Sequence, residues 1–227
     1  MNEAIHFPGD TQVSIGTGHG AVQGWLSLPA QISALVVLTH AGHHSAARDD
    51  ALAVVLQHAG IGTLTLDLLT YGEERFADMQ RNVSLLTRRL LAGLALIKRW
   101  MLLGEMPTLP IGLCAADDCS PAVLRVAAQR DRDIFAVVCR GGLIDRAGMV
   151  YLRALASPLL LFAGDDGQTT ASNRRALREL SCRQELKRLP TGTEASELSD
   201  SAVAFEFGAR ETAHWCVQHR PKVIATG

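Results

Sequence analysis

The stretch LPIGLCAADDCSPAVLRVAAQ, residues Leu109–Gln129, changes character at its middle. Its first half is an apolar run of strand length that ends in small residues and two aspartates. Its second half has apolar residues at helical spacing behind Pro121, a residue that a helix tolerates only in its first turn. The stretch therefore predicts a buried strand, a sharp turn and a helix in direct succession, which is the repeating unit of folds with parallel strands.

The same alternation extends on both sides of this stretch. We predict strands over Val22–Leu28, Ala34–Thr39, Gly62–Leu66, Leu109–Ala115, Ile134–Cys139, Leu159–Ala163 and Glu185–Leu189. We predict helices over Asp49–Ala59, Met79–Leu103, Asp118–Gln129, Asp145–Ala154, Thr170–Leu180 and Ser201–Gln218. Strands that alternate with helices give an α/β fold, a mostly parallel doubly wound sheet with helices on both faces. Ligands of such sheets bind at the carboxyl ends of the strands.

The composition argues against several classes of protein. Lysine and arginine number 22 against 23 aspartates and glutamates, and a net charge of −1 gives no basic surface for nucleic acid. No apolar run reaches the roughly 18 residues that span a bilayer, and the start MNEAIHFPGD does not resemble a signal peptide. Without a linker-like segment, we expect one cytoplasmic domain over residues 1–227. Its expected partner is a small molecule in a cleft rather than nucleic acid or a membrane.

The cysteines predict a reducing environment. There are 5 of them, an odd and scattered set without a CxxC pair, which argues against a disulfide framework and against a structural zinc site. We expect each to be a small buried hydrophobic residue. The sequence predicts no cofactor.

Several stretches resemble the α/β-hydrolase superfamily, and in particular its compact dienelactone hydrolase-like family. They are Val36–His40, Thr65–Thr70 (TLDLLT), Leu85–Leu90 (LLTRRL), Leu109–Gly112 (LPIG), Cys139–Gly142 (CRGG) with Asp145, and Asn173–Leu177 (NRRAL). The resemblance extends over nearly the whole chain and implies an α/β-hydrolase fold without a large cap domain. It also implies a catalytic triad, in which a nucleophile on a strained strand-to-helix turn is followed along the chain by an acid and a histidine.

The nucleophile position of the family can be aligned in two ways. The ungapped alignment places Asp117 there, whereas the alternative makes Cys114 the nucleophile of an elbow similar to the GxCxG elbow of dienelactone hydrolase. With Asp117 at the turn, Pro121 falls in the first helical turn, where its missing N–H costs nothing. With Cys114 at the turn, Pro121 lies deeper in the helix at a cost of roughly 3 kcal/mol. We therefore favour Asp117.

The other two triad positions also depart from the family pattern. Asp166 follows the strand Leu159–Ala163 where the family has its acid, and its alternative role is to begin a helix. The histidine position holds Glu194, and no histidine occurs between His58 and His214. The triad-equivalent residues are therefore three carboxylates, with no base at the expected place.

Besides His40, two histidines are expected to face the predicted crevice. His43 and His44 follow the strand Ala34–Thr39, where the family forms its oxyanion hole, and either could be a displaced base or merely a solvated loop residue. The backbone N–H groups of Ala41 and Asp118 would form an anion-binding pair if the turn is preserved.

Topology and helical periodicity predict the positions of several further polar residues. From the loop after Gly62–Leu66, Tyr71 and Glu73 could line the same cavity on grounds of topology. The helix predicted over Met79–Leu103 carries four basic residues on the face opposite its apolar stripe, Arg88, Arg89, Lys98 and Arg99.

Three carboxylates in one cleft, Asp117, Asp166 and Glu194, would titrate as a coupled set. Such a set could transfer protons without a covalent intermediate, or hold Mg²⁺ or Ca²⁺, although we assign no metal. Alternatively, Arg140 pairs with the carboxylates and the cleft is structural.

We interpret the chain as a dienelactone hydrolase-like protein in which standard ester or lactone hydrolysis is lost. It would be a ligand-binding pseudo-hydrolase or a non-covalent acid–base enzyme. The alternative is an active esterase, lactonase or dehalogenase-like hydrolase that uses Asp117 with His43 or His44.

Overall fold

A computed structural model of the chain describes residues 10–18, 20–42, 46–130, 133–164, 166–190 and 197–221, with the backbone alone over 197–201. The strands are β1 Asp10–Thr17, β2 Gly20–Ser27, β3 Ala34–His40, β4 Ile61–Asp67, β5 Ile111–Ala116, β6 Ile134–Arg140, β7 Leu159–Ala163 and β8 Gln184–Arg188. The helices are α1 Ala46–His58, α2 Ala77–Gln80, α3 Val83–Leu102, α4 Ser120–Gln129, α5 Met149–Ala154, α6 Gly167–Leu177 and α7 Glu197–His219.

All of these strands belong to one eight-stranded sheet in the order β1-β2-β4-β3-β5-β6-β7-β8. The pairs β1/β2 and β2/β4 are antiparallel, and every other pair is parallel. Every residue of β3, β4 and β5 is buried, as expected where helices cover both faces of parallel strands. The predicted fold class is confirmed.

Two apolar cores lie on the two faces of the sheet. One contains the stripe of α3, with Leu86, Leu90 and Ile97, together with apolar residues of α4 and α5. The other contains residues of α1 and α7, including Leu56 and Trp215. Within the described residues, no helix is long and apolar enough to cross a membrane.

The structure differs from the prediction mainly at the first strand and at the start of the long helix. Strand β1 was not predicted, because only Val13 and Ile15 supply its apolar alternation; it forms an edge hairpin with β2. The helix predicted from Met79 is divided, and α3 begins only after Asn82, whose side chain accepts a hydrogen bond from the Leu85 N–H. The helix predicted over Asp145–Ala154 is likewise a short 3-10 turn followed by α5.

The cysteines are all free, as predicted. Four are buried and Cys182 is half-buried. Burial raises the pKa of the Cys114 thiol to about 11 and that of the Cys139 thiol to about 12, so neither is a reactive thiolate at neutral pH.

Candidate functional site

A strained turn joins β5 to α4. Asp117, its first residue, has φ 37° and is the only described non-glycine residue with positive φ. Side chains rarely adopt this conformation, which aspartate and asparagine tolerate best. Pro121 stands in the first turn of α4, where the favoured alignment required it, while Cys114 is buried inside β5. The turn therefore presents Asp117 and not Cys114.

Two glycines after β6 make room for this turn. Gly141 and Gly142 have φ values of 94° and 81°. A Cβ on Gly141 would lie 2.6 Å from Asp117 Oδ1, and one on Gly142 would collide with the Asp117 carbonyl oxygen. Ser120 Oγ donates to the Gly141 carbonyl and Asn173 Nδ2 to the Gly142 carbonyl, both at 2.8 Å. The CRGG stretch thus permits and fixes the close approach of Asp117.

A cavity of about 270 Å³ opens beside Asp117. Its walls are largely apolar and come from α1, β7 and the middle of α7. The described lining residues are Arg48, Leu52, Ala116, Asp117, Arg140, Gly141, Phe162, Gly164, Leu189, Ala204, Phe205, Gly208 and Ala209. Three of these side chains are charged, and none of the described lining residues is histidine, serine, threonine or cysteine.

A buried network of alternating charge lies behind the cavity. The Arg140 guanidinium pairs with Asp49, whose side chain is fully buried. The other oxygen of Asp49 is 2.6 Å from His40 Nδ1, and His40 Nε2 is 3.9 Å from Asp67 Oδ2. The sequence suggested Arg140 as a partner for the triad-position carboxylates, but its observed partner is Asp49.

The sequence did not identify this network, although two of its members lie at the carboxyl ends of strands. His40 ends β3 and Arg140 ends β6, the positions where an α/β sheet collects functional side chains. Asp49 lies in the first turn of α1, where an acidic residue has the ordinary role of stabilising a helix start.

The pKa of Asp117 is raised, mainly because burial disfavours its charged form, and the charges of Asp118 and Asp49 add to the effect. The positive charges of Arg140 and Arg48 oppose the rise. The pKa of His40 is also raised. Burial alone would lower it, but the hydrogen bond to Asp49 and the charges of Asp49 and Asp67 outweigh burial.

Asp166 caps a helix. Its side chain is exposed and accepts from the backbone N–H groups of Gln168 and Thr169, at 3.1 and 3.2 Å. The Thr169 hydroxyl, and then these N–H groups, lower its pKa. It is not among the described residues that line the cavity, so its alternative role of beginning a helix is the one observed.

Three other predicted site residues, His43, His44 and Glu194, lie outside the described residues. Within the described part of the chain, no three histidine, cysteine, aspartate or glutamate side chains are grouped to hold a metal ion. Ala41 follows β3 and Asp118 follows the strained residue, and an anion-binding role for their N–H groups stays a prediction. The N–H of the adjoining Gly42 donates to Asp67 Oδ1 at 3.0 Å.

Two predictions about polar residues were wrong. Arg89, predicted on the face opposite the apolar stripe, is 4% exposed. Its guanidinium binds both carboxylate oxygens of Glu73, at 2.7 and 2.8 Å, and donates to the Leu68 carbonyl. Glu73 therefore points to α3 and does not line the Asp117 cavity, and Tyr71 borders a different cavity. The apolar stripe gave no sign of this pair, because an ion pair buried beside a stripe does not alter its period.

Comparison with known proteins shows that the fold is similar to that of solved hydrolases. The dienelactone hydrolase of Anabaena variabilis is 29% identical and superposes with a TM-score of 0.80 over 95% of this chain and all of that one. A cold-adapted esterase from an Arctic intertidal metagenomic library shares 18% identity, with a TM-score of 0.68 over 93% of this chain and 94% of its own. No protein-family model matches the chain.

Proteins from two strains of Mycobacterium tuberculosis, named as proposed phosphoribosyl transferases, are 30% identical over 213 residues. The matched region is 92% of this chain but 46% of each relative, so the chain spans about half the length of these curated relatives.

Proposed function

We propose that this chain, which has the α/β-hydrolase fold in its dienelactone hydrolase-like form, binds a small organic ligand in the cavity beside Asp117 and has lost triad hydrolysis. The observation that carries the proposal is the strained turn itself. Its backbone has the conformation that exposes a nucleophile, yet its side chain is a carboxylate at the edge of an apolar cavity.

Hydrolysis through an acyl intermediate is disfavoured by this carboxylate. An ionised Asp117 would oppose the negative charge that an oxyanion hole stabilises, and it is a weak nucleophile toward an ester. Attack on a carbon–halogen bond would leave an ester on Asp117, and its hydrolysis needs a base to activate water. The described lining of the cavity contains no histidine for that step.

The lining indicates the chemistry of the ligand. Besides Arg140, which pairs with Asp49, the charged side chains among the described lining residues are Arg48 and Asp117, and their charges are opposite. A net charge near zero within apolar walls favours a largely apolar molecule whose one polar group hydrogen-bonds Asp117. The volume of about 270 Å³ is slightly below the ~300 Å³ at which the usual range of small-molecule sites begins, so we expect a small ligand.

A non-covalent acid–base reaction is the second candidate, and the raised pKa of Asp117 favours it. A carboxyl group that keeps its proton to higher pH than an exposed aspartate can donate that proton and take it back. Isomerisation or elimination would then need no covalent intermediate.

The transferase name of the mycobacterial relatives belongs to proteins about twice the length of this chain. The cavity gives no preference for a phosphorylated sugar, because Arg140 is paired with Asp49 and the charge of Arg48 is balanced by that of Asp117 in the same lining.

The proposal is tested by screening a library of small apolar acids, amides and alcohols by ligand-observed NMR. We expect binders that Asp117→Asn weakens and that Asp166→Asn leaves unchanged, since Asp166 is an exposed cap outside the described cavity lining. Binders that are insensitive to Asp117→Asn and to Phe205→Ala would contradict the assignment of the cavity.

A further inference from the structure

A smaller cavity, of about 160 Å³, lies between α6 and the carboxyl ends of β7 and β8, and we call it the arginine cavity. Its described lining residues are Gly164, Gly167, Thr170, Ala171, Arg174 and Arg188. Gly164 follows β7 and Arg188 ends β8, so the cavity lies at the edge of the sheet where α/β folds bind ligands. Gly164 also borders the cavity beside Asp117, which makes the two cavities neighbours.

Small residues form one side of the arginine cavity. The lining positions on α6 are 167, 170, 171 and 174, and their spacing of three and four puts them on one face of the helix. A Cβ built on Gly164 or Gly167 would contact no described atom within 4 Å apart from its chain neighbours and, for Gly167, the backbone of α6. The space above both glycines is therefore open. The Thr170 hydroxyl donates to the Gly164 carbonyl at 3.2 Å, which holds the first turn of α6 against the end of β7.

Two arginines supply the charge of the arginine cavity. Arg174 on α6 and Arg188 on β8 are exposed, and they are the charged side chains among the described lining residues. Within the described part of the chain, neither side chain forms an ion pair or a hydrogen bond. Two positive charges therefore border one small space, although the net charge of the whole chain is −1.

The acidic residues of the segment 166–190 have other partners. Glu179, which follows α6, pairs with Arg153 at 3.0 Å, and Glu185 of β8 pairs with Lys187 at 3.4 Å. Asp166 caps α6 and accepts from two N–H groups of the first turn, so those N–H groups are not donors to the arginine cavity. The donors that this cavity offers to an anion are therefore chiefly the two guanidinium groups.

The pair of arginines selects the shape of the anion. A guanidinium group is a planar fork that binds two oxygens of an anion side by side. The two oxygens of a carboxylate match one such fork, whereas a tetrahedral phosphate has oxygens left for a second fork from another direction. Here the forks come from two elements, α6 and β8. The volume of about 160 Å³ is well below the ~300 Å³ at which the usual range of small-molecule sites begins, which favours a phosphate group over a larger anion.

We propose that the arginine cavity binds a phosphate group, held by Arg174 and Arg188. The group is either free phosphate or the end of a small phosphate ester. Because both arginines are exposed, we expect weak binding, with a dissociation constant of roughly 1 mM. This site does not depend on the function proposed for the cavity beside Asp117.

The test is a titration of the whole chain with inorganic phosphate, glycerol 3-phosphate and acetate at constant ionic strength, followed by the backbone amide NMR signals of Gly164 and Gly167. We expect at least one of the two phosphate compounds to bind saturably and more tightly than acetate. Tighter binding of glycerol 3-phosphate would assign the site to an ester, and tighter binding of inorganic phosphate would assign it to the free ion. Arg174→Ala and Arg188→Ala should each weaken binding about fivefold, the upper scale of an exposed ion pair, and the double variant should not bind saturably.

Two controls distinguish this site from a general attraction of anions to the protein. Arg175→Ala removes the same charge from the next position of α6, outside the described lining, and should leave phosphate binding nearly unchanged. Phe205→Ala alters the cavity beside Asp117 without changing the charge, and should also leave phosphate binding unchanged. Acetate binding as tight as that of both phosphate compounds, equal losses for Arg175→Ala and Arg174→Ala, or the absence of saturable binding would overturn the proposal. Because Arg174 and Arg188 are exposed, we expect their variants to fold.

Discussion

At the scale of single residues, Asp117 is the position that the sequence located and the structure explains. The place of Pro121 indicated which residue lies at the turn, because a proline fits only the first turn of α4. The paired glycines of CRGG were visible too, but the sequence could not show that they face Asp117. The sequence placed His40 at the crevice without a role, and it did not single out Asp49, since an aspartate that starts a helix has an ordinary structural interpretation.

Replacing Asp117 by asparagine should stabilise the fold at neutral pH. The folded pKa of Asp117 is raised, so its ionised form destabilises the folded chain once the pH exceeds the unfolded value of 3.8. Asparagine carries no charge and tolerates positive φ. The free energies of unfolding of the two proteins, measured in urea, should therefore agree near pH 3.5 and diverge toward pH 7, with the variant more stable. Asp117→Ala, which tolerates this φ poorly, should lose roughly 1 kcal/mol relative to Asp117→Asn. A variant less stable than the wild type at pH 7 would contradict this account.

At the scale of secondary-structure elements, the Arg89–Glu73 ion pair links the loop after β4 to α3. Its partners are 5% and 14% exposed, and Thr70 adds hydrogen bonds from its N–H and its hydroxyl. Hydrogen bonds from Arg89 are the main cause that lowers the pKa of Glu73 to about 2. Helical periodicity located α3 and its apolar stripe, but a side-chain pair between a helix and a loop leaves no periodic trace.

Glu73→Gln should cost about 3 kcal/mol of unfolding free energy, because it leaves the buried Arg89 charge without its partner. The matched control is Glu179→Gln, which breaks the exposed pair with Arg153 and should cost less than about 1 kcal/mol. Chemical unfolding measures both. Equal losses for the two variants would show that the buried pair does not fasten the loop. Because the pKa of Glu73 is lowered, its stabilisation is present above pH 4.5 and is lost as the pH falls toward 2.

At the scale of the whole molecule, the alternation of apolar runs and helical patterns was enough to predict the sheet. Strand β1 was not predicted because it lies at the sheet edge, where few of its residues are buried, whereas its hairpin partner β2 was predicted. The cavity beside Asp117 could not be predicted, since its shape depends on how α1 and α7 pack over the strands. The Arg140–Asp49–His40–Asp67 network extends from this cavity, at Arg140, into the interior.

The network should make global stability depend on pH through His40. Within the described part of the chain, Asp49 on α1, Asp67 on β4 and Arg140 on β6 are the charged groups that act on its ring, and its folded pKa is raised above 6.5. The stabilisation is therefore full below pH 6.5 and is lost as the pH rises through the folded value. The melting temperature of the wild type should fall as the pH rises through the folded pKa of His40, whereas the melting temperature of His40→Gln should not. Parallel melting curves for both proteins would exclude this role.

Asp49→Asn should lower the free energy of unfolding more than any substitution at an exposed position of α1. It leaves Arg140 and His40 without the shared carboxylate, at a cost of about 3 kcal/mol or more. Asp50→Asn, the next residue on the same helix but exposed, should change stability by less than about 0.5 kcal/mol. Similar denaturation midpoints for the two variants would contradict the network.

The loss of triad hydrolysis is tested most directly by the hydrolysis of a nitrophenyl ester by the wild-type chain and by Asp117→Asn, measured side by side. We predict that neither protein accelerates the reaction above the buffer rate, because a carboxylate occupies the turn where a nucleophile would act. Turnover by the wild type that Asp117→Asn abolishes would contradict the account and assign Asp117 as a working nucleophile.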